Sequence, residues 1–363
     1  MKIALIVPGG VDRSGEDRVI PAILSLVERL ARRHEVRVYA LAQEPSPGIW
    51  PLLGATVENL ALTSRRAWPG AVFRFVRSLH AHGPFDLIHA IWGDTPGFLA
   101  SVAGKLLRVP VLVHFGGGEL ARIPEIGYGS QLALKDRFQV AFTRKHATLL
   151  TAASRSLAGP LGAEAVPLGV DTSWRREIRI RSSPPWKLLH VASLNPVKDQ
   201  PTLLRALRRV VDVEPETFLE IAGVDTLSGA IERECERLGL SHHVRFHGLV
   251  RPYAVQALFE GRDLLVVSSR HEAGPVAAVE AAMSGVPVVG TAVGHLADWA
   301  GEMAETVPVG DDAALASAIL ALLRDPVRRE TLACRAQAWA LLHDADATAR
   351  RFEELYFGLK RSR

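Results

Sequence analysis

The most informative stretch of this chain is SSRHEAGPVAAVEAAMSGVPVV, residues 268–289. It follows the apolar run Leu264–Val267 and contains a glycine-proline turn, a helix-forming segment over Val276–Met283 and a second apolar run, Val286–Val289. A buried strand, a turn, a helix and another buried strand form the unit from which parallel sheets are built. The stretch therefore predicts an α/β fold.

The same alternation of apolar runs and amphipathic stretches covers the chain in two rounds. The first round opens at Lys2–Val7 and the second at Lys187–Ala192, each with a buried strand and a small-residue turn. Between the rounds, Arg181–Pro185 combines two serines with two prolines, which cannot continue a helix or a central strand. We therefore predict two Rossmann-like domains, each a doubly wound parallel sheet, facing each other across a cleft. The predicted parts are residues 1–170, a linker over 171–185, and residues 186–344.

Composition excludes several classes of protein. The 363 residues suffice for two domains, and 48% hydrophobic with 23% charged residues excludes disorder as the main state. Two cysteines, Cys235 and Cys334, exclude a disulfide scaffold and a cysteine-type zinc site. We find no apolar run of about 18 residues and no signal-peptide pattern. The sequence predicts a cytoplasmic protein.

Charge is divided unevenly along the chain. Residues 1–170 hold 19 Lys and Arg against 13 Asp and Glu, whereas residues 184–344 hold 15 against 21. Either the first domain meets an anionic membrane surface or an acidic acceptor, or the asymmetry is drift in an arginine-rich sequence. The segment Ser64–Arg77 mixes arginine with aromatic residues, and it predicts either peripheral contact with an anionic bilayer at the inner membrane face or an ordinary sheet-covering helix. No motif for nucleic-acid binding is present.

Two glutamates in the opening stretch point to a ligand. Glu272 precedes a glycine loop, and Glu280 lies inside an otherwise apolar helix, where an unpaired carboxylate is costly. Sugar hydroxyls donate to carboxylates, and the backbone around Gly274, Pro275 and Val276 opens a helix whose free N–H groups suit an anion. Two acids beside a phosphate-ready helix start predict a nucleotide-sugar pocket.

Other candidates directly follow predicted strands, because ligands of open parallel sheets bind beyond the carboxyl ends of the strands. Lys198 lies in the turn and early helix after the strand that opens the second domain, where a lysine suits a phosphate. His114 is interpreted either as a proton-transfer group or as a half-buried strand-end histidine. The remaining candidates in the first domain are Gly9, Gly10, Asp94, Gly117, Gly118 and Glu119.

Glu272 and Glu280, with seven residues between them, resemble the E-x7-E signature of glycosyltransferase family 4, whose members are retaining enzymes with the GT-B fold. Ser193–Asp199 is similar to the donor-diphosphate turn of that family, and Phe246–Val250 resembles its base-contacting loop. The resemblance covers nearly the whole chain. It implies that the C-terminal helix, residues 345–363, packs back on the N-terminal domain.

The resemblance also implies roles for the candidates. Glu272 would bind sugar hydroxyls, Glu280 the ribose hydroxyls, and Lys198 the leaving diphosphate. Ser193 stands where many members carry a phosphate-binding arginine, which makes Arg270 a candidate to replace it. The implied catalytic residues are Glu272, Lys198 and His114. The implied donor-binding residues are Ser193, Arg270, Gly274, Pro275, Val276, Glu280, Gly248 and Val250. The implied acceptor-binding residues are Gly9, Gly10, Asp94, Gly117, Gly118 and Glu119.

The expected reaction is transfer of a sugar from a UDP- or GDP-linked donor to a hydroxyl of a glycan, a lipid-linked or a small-molecule acceptor, as in polysaccharide or glycolipid biosynthesis. Because Lys198 and the helix start supply positive charge, no metal and no cofactor is expected. Two alternatives remain open. Sugar-nucleotide epimerases share the architecture, and a non-catalytic sugar-nucleotide-binding partner would need the donor site alone.

Overall fold

The structure, a computed structural model, describes residues 1–62 and 68–361. The chain forms two compact units. Unit 1 consists of Met1–Leu168 together with the C-terminal residues from Ala345, and unit 2 consists of Gly169–Asp344. The predicted basic-aromatic segment Ser64–Arg77 lies partly outside the described residues, since its first four residues are not among them.

Unit 1 is built on a sheet of eight strands among the described residues, in the order β3-β4-β2-β1-β5-β6-β7-β8. All neighbouring pairs are parallel except β3 with β4. The strands are β1 (Lys2–Val7), β2 (Glu35–Ala40), β3 (Gly48–Leu52), β4 (Ala55–Asn59), β5 (Leu87–Ile91), β6 (Val111–Phe115), β7 (Leu149–Ala152) and β8 (Glu164–Ala165). The helices that alternate with them are α1 (Pro21–Ala31), α2 (Trp68–His82), α3 (Thr95–Leu107), α4 (Leu134–His146) and α5 (Arg155–Ala158).

The antiparallel edge of this sheet differs from the all-parallel prediction. Strands β3 and β4 form a hairpin closed by Leu53 and Gly54, both of which have positive φ. Two positive φ values in a two-residue loop match the twist of the flanking strands, but leucine at the first position is not the usual asparagine or aspartate. The turn therefore carried too weak a sequence signal for the hairpin to be predicted.

Unit 2 is built on a sheet of six strands among the described residues, in the order β11-β10-β9-β12-β13-β14, and all its pairs are parallel. The strands are β9 (Trp186–Val191), β10 (Thr217–Ala222), β11 (Val244–Gly248), β12 (Leu264–Val267), β13 (Val288–Thr291) and β14 (Ala304–Val307). The helices are α6 (Gln200–Val213), α7 (Ala230–Arg237), α8 (Pro252–Leu258), α9 (Val276–Met283), α10 (His295–Trp299), α11 (Asp312–Arg324) and α12 (Pro326–Leu342). The predicted fold of two doubly wound α/β domains is confirmed.

The last helix, α13 (Ala345–Arg361), belongs to unit 1. It packs against α1, and its Phe352 and Tyr356 are buried in the core beneath the sheet. Arg29 of α1 donates to the Asp346 carboxylate at 2.9 Å, and His89 of β5 contacts the Tyr356 hydroxyl at 2.6 Å. Burial of the apolar face of α13 therefore ties the end of the chain to its first domain.

Candidate functional site

The carboxyl ends of β9 and β12 bring the strongest candidates together. These strands are neighbours in the sheet, so the loops that follow them lie side by side. The ammonium of Lys198, from the β9 loop, lies 2.5 Å from Oε1 of Glu272, from the β12 loop. Two further bonds join the loops: the Ser268 hydroxyl donates to the Lys198 carbonyl at 2.8 Å, and the Arg270 amide to the Val197 carbonyl at 2.7 Å.

The Glu272 carboxylate is positioned from a third strand as well. Oε1 of Glu272 also accepts a hydrogen bond from the Ser269 hydroxyl at 2.6 Å, and the Ser269 carbonyl accepts one from Thr291 of β13 at 2.6 Å. The side chains of Glu272 and Lys198 keep 12% and 23% of their surface exposed. An anion and a cation thus lie next to each other at the sheet edge, within reach of a ligand that offers both hydroxyls and phosphates.

The Asp199 side chain holds Arg270, one of the candidate donor residues, in place. Asp199 is buried and has a left-handed backbone, with φ at 50°, a conformation that aspartate tolerates better than most residues. Its carboxylate accepts a hydrogen bond from Nε of Arg270 at 3.0 Å. Arg270, the expected substitute for the missing phosphate-binding arginine, is therefore held by Asp199 through one edge of its guanidinium group.

The main chain at Ser193 is fixed by two polar residues that the sequence had not singled out. The Gln200 amide donates to the Ser193 carbonyl at 3.1 Å and lies 3.2 Å from Nε2 of His190. Nδ1 of His190 lies 2.9 Å from the Val266 carbonyl, which can only accept, so Nδ1 carries the proton. Burial lowers the pKa of His190 to about 4, and the ring is therefore neutral at pH 7. In the sequence, the only signals for this arrangement were a histidine at the end of a strand and a glutamine early in a helix.

Glu280 differs from Glu272 in having no partner. It lies on α9 and is 8% exposed, and within the described residues its carboxylate makes no hydrogen bond or ion pair. Burial alone raises the pKa of its carboxyl to about 7. A buried acid without a partner is costly, and a ligand hydroxyl that donated to it would reduce that cost.

The start of α9 and the end of β11 complete the predicted donor residues. No side chain among the described residues caps α9 at Pro275, and Gly294 lies against the main chain of Glu272. The Gly248 carbonyl at the end of β11 accepts a bond from the Gly223 amide at 2.9 Å. A Cβ on Gly223 would approach the Ala192 carbonyl to 1.9 Å, so only glycine lets the β10 loop pack against the β9 loop.

Glu119, the acid of the triple-glycine loop in unit 1, holds two loops together through hydrogen bonds. The Glu119 carboxylate accepts hydrogen bonds from the amides of Gly93, Gly116 and Gly117, at 3.0, 3.2 and 2.8 Å. It is 2% exposed, and burial raises the pKa of its carboxyl to about 7. Glu119 therefore joins the loops after β5 and β6, and its carboxylate is already occupied by main-chain donors.

Asp94 is the more accessible acid of unit 1. It directly precedes α3 and is half-buried, and its carboxylate accepts a hydrogen bond from the Ser130 hydroxyl at 3.1 Å. Burial raises the pKa of the Asp94 carboxyl. Gly9 and Gly10, after β1, are partly exposed at the same carboxyl edge of the sheet. The Gly10 carbonyl accepts a hydrogen bond from the Ile20 amide at 3.0 Å, which closes this loop.

His114 lies in the interior of unit 1. The residue is 0% exposed, Nδ1 contacts the Thr151 hydroxyl at 3.0 Å, and the ring packs edge-on against Phe352 of α13. Burial lowers the pKa of His114 to about 3. An imidazole with this position and pKa has no access to a substrate proton, so the geometry does not support the catalytic role expected for His114.

Metal ligands are not clustered in the described parts of the chain, where no group of three or more His, Cys, Asp or Glu residues is arranged around a common point. The Asp-x-Asp spacing that often holds a metal occurs once in the sequence, at Asp344 and Asp346. Asp346 forms the ion pair with Arg29 that anchors α13, at 2.9 Å. Asp346 therefore has a structural use.

Two family models match the chain, one in each unit. Residues 19–169 match the glycosyl transferase 4-like domain, and residues 172–339 match glycosyl transferases group 1. Together they cover every strand of the two sheets except β1.

Curated relatives carry related descriptions. The chain is 33% identical to a D-inositol 3-phosphate glycosyltransferase of Thermomonospora curvata over 48% of its own length and 43% of the relative's. It is 25% identical to the D-inositol 3-phosphate glycosyltransferase of Corynebacterium diphtheriae over 96% of its own length and 91% of the relative's. The first alignment spans less than half of that relative.

Solved structures share the fold. Sucrose-phosphate synthase from Thermosynechococcus elongatus superposes with a TM-score of 0.81 at 20% identity, over the whole of both chains. Anabaena HepE in complex with UDP and glucose superposes with a TM-score of 0.76 at 18% identity, over 99% of this chain and all of that one. At these identities the likeness establishes the GT-B architecture.

Proposed function

The chain belongs to the family 4 type of glycosyltransferases, and from this premise we propose that it transfers a sugar, with retention, from a nucleoside-diphosphate sugar to an acceptor hydroxyl. The observation that carries the proposal is the contact between Lys198 and Glu272 at the carboxyl ends of β9 and β12. A sugar diphosphate is the ligand class that uses both charges, since its phosphates pair with the ammonium and its hydroxyls donate to the carboxylate.

The donor is assigned to unit 2. Lys198 and the uncapped amides at the start of α9 would bind the diphosphate, with the outer edge of the Arg270 guanidinium as a third donor. Glu272 would accept from the sugar hydroxyls and Glu280 from the ribose, while the main chain at Gly248 and Val250 would meet the base. UDP is the preferred nucleotide, because HepE, with the same fold, is described in complex with UDP and glucose.

The chemistry follows from this placement. The bond between the anomeric carbon and the diphosphate oxygen breaks, and its electron pair leaves with the diphosphate. The acceptor oxygen bonds to the same face of the carbon, and its proton passes to the departing phosphate oxygen. Lys198 and the α9 amides offset the charge that develops on that oxygen, and each such donor contributes about 3 kcal/mol to transition-state stabilisation. This scheme requires no protein base, which agrees with the burial of His114, and assigns no step to a metal.

The acceptor is assigned to unit 1. Asp94 would accept from the attacking or a neighbouring hydroxyl, and the main chain at Gly9, Gly10, Gly117 and Gly118 would line the acceptor, with Glu119 holding the last two in place. The relatives named for D-inositol 3-phosphate favour a phosphorylated or otherwise anionic acceptor, which fits the basic charge of residues 1–170. The corresponding location of the enzyme is the cytoplasm, with peripheral contact to an anionic membrane.

The test begins with a thermal-shift panel of UDP-, GDP- and ADP-sugars. A donor present at about 100 times its dissociation constant stabilises the folded protein by about 2.7 kcal/mol, and UDP-glucose is expected to give the largest shift. Product analysis with a bound donor and an inositol phosphate then follows. An epimer formed from the donor alone would identify an isomerase, and a thermal shift without any turnover would identify a binding partner.

A further inference from the structure

The outward face of α4 in unit 1 has an unusual composition. Its inner face, at Gln139, Val140 and Thr143, is buried against the rest of the unit. Leu134 and Phe138, one turn apart on the opposite face, are 80% and 62% exposed. Apolar side chains at this spacing normally mark the buried side of a helix, and here they mark the side that faces solvent.

Aromatic rings of α3 and α4 extend this face, and an exposed leucine lies near the end of α3. Phe138 and Phe142 lie next to each other along α4, with ring centroids 6.2 Å apart, and both contact Phe98 of α3, at 6.1 and 5.1 Å. Leu106, near the end of α3, is 67% exposed. A patch of large apolar groups from two helices indicates a contact surface rather than scattered exposure.

Basic residues flank the patch. Helix α4 carries Lys135, Arg137, Arg144 and Lys145 against a single acid, the half-buried Asp136. Lys105 of α3 lies 5.8 Å above the Phe142 ring. Among the described residues, the side chains of Lys105, Arg137 and Lys145 make no ion pair with an acid. We therefore call the surface formed by Leu106, Leu134, Phe138, Phe142 and these cations the α3–α4 patch.

We propose that the α3–α4 patch docks on an anionic lipid bilayer, with Leu134 and Phe138 entering the interface and the surrounding cations meeting lipid phosphates. An apolar centre with a basic border matches the layering of a membrane surface. A second copy of this chain fits less well, because a two-fold interface would bring the cations of both patches together. A nucleic acid fits less well too, since leucine side chains do not stack on bases.

The position of the patch relates it to the proposed function. Thr95, beside Asp94, donates to Gln139 of α4 at 3.1 Å, and Ser130, just ahead of α4, donates to Asp94. Helix α4 therefore joins the two: its inner face contacts the Asp94 region through Gln139, and its outer face carries the patch. Docking on a bilayer would bring the enzyme to an acceptor that is itself anchored in the membrane. This link rests on the proposed function.

The surface differs from the one the sequence suggested. In the described part of Ser64–Arg77, Phe75 is buried and Arg74 donates to the Leu60 carbonyl, whereas Phe73 is 65% exposed. None of the helices in the described ranges is long and apolar enough to cross a bilayer. The inferred contact is therefore peripheral.

Co-sedimentation of the full chain with vesicles tests the proposal. We expect binding to phosphatidylcholine vesicles that contain phosphatidylglycerol, weak binding to phosphatidylcholine alone, and weakening by salt. Leu134→Ser with Phe138→Ser should lower the partition coefficient about tenfold or more. Arg137→Glu with Lys145→Glu should lower it by more than the roughly fivefold expected for each lost cation. The control is Leu342→Ser with Arg335→Glu, an exposed apolar-basic pair in unit 2, and it should bind as the wild type does.

Two results would overturn the inference. One is equal vesicle binding, or equal absence of binding, in the wild type and both patch variants. The other is a wild-type dimer in sedimentation velocity that the patch variants convert to monomers, with vesicle binding unchanged. The thermal shift with UDP-glucose in the same variants separates this question from the donor site, since loss of vesicle binding with an unchanged shift leaves the donor assignment intact.

Discussion

Two loops in this molecule each combine glycine with a glutamate after a strand, but the two glutamates have different surroundings. The loop after β6 in unit 1 contains three glycines and Glu119, and the loop after β12 in unit 2 contains Gly274 and Glu272. Glu119 is buried and accepts from three main-chain amides, whereas Glu272 is partly exposed and shares its oxygen with Lys198 and Ser269. A glycine-rich loop with an acid after a strand therefore does not indicate by itself whether the acid serves a ligand or the fold.

The largest expected effect tests whether Glu272, together with Lys198, serves a ligand. Glu272→Ala and Lys198→Ala should each reduce the rate of sugar transfer about a hundredfold or more, because each removes a charge placed against the donor. The free energy of unfolding should change little, since both side chains remain partly solvated. Initial rates and denaturant unfolding measure the two quantities, and Glu330→Ala, an exposed acid on α12, is the control. Near-wild-type transfer in both folded variants would refute the donor assignment.

The fold side is tested at Glu119. Glu119→Gln replaces one carboxylate oxygen with an NH2 group that faces main-chain donors, so we expect the free energy of unfolding to fall by about 2 kcal/mol. Urea unfolding followed by circular dichroism measures this. An unchanged midpoint would mean that the three amide bonds do not stabilise the loops.

Glu280 provides the matched comparison, because its carboxyl also has a pKa of about 7 but has no partner. Its folded pKa lies above the usual value of 4.5, so the folded state binds more protons between these two pH values and stability is lost as pH rises from about 4.5 to 7. Glu280→Gln should remove this loss and stabilise the protein at pH 8 by about 2 kcal/mol, while weakening the donor-induced thermal shift. Destabilisation at pH 8 would show that the Glu280 carboxylate has a partner within the fold.

A smaller effect is expected at the Asp199–Arg270 pair. Asp199→Asn should lower the free energy of unfolding by about 1 kcal/mol, because Arg270 loses a charged acceptor. If Arg270 also binds the diphosphate, the donor dissociation constant should change by less than it does in Arg270→Ala. Titration of the wild type and of each variant with UDP measures these dissociation constants. If Arg270→Ala binds UDP as tightly as the wild type does, Arg270 lies outside the donor site.

The smallest effect on activity is expected at His114. His114→Gln should leave the pH profile of kcat unchanged, because a ring buried against Phe352 transfers no proton to a substrate. Stability should fall by about 1 to 2 kcal/mol, since Nδ1 contacts Thr151. Loss of one limb of the pH profile would reinstate His114 as an acid-base group.

Sequence pattern alone determined the two-domain α/β architecture of this protein, apart from the antiparallel edge formed by β3 and β4. The apolar runs that open the two rounds and flank α9 marked β1, β9, β12 and β13 to within two residues, and α9 begins and ends at the predicted Val276 and Met283. These features are local, because a strand in a covered parallel sheet must be apolar on both faces. The juxtaposition of Lys198 and Glu272 was also predictable in outline, since the carboxyl ends of parallel strands meet at one edge.

The tertiary structure decided which polar residues are buried and which face solvent. Glu119 is buried because Gly93, 26 residues earlier, supplies an amide, and His114 because Phe352 from the far end of the chain covers it. The outward direction of Leu134 and Phe138 likewise depends on which face of α4 packs against the rest of unit 1. Burial is set by partners distant in sequence, and neither composition nor periodicity contains that information.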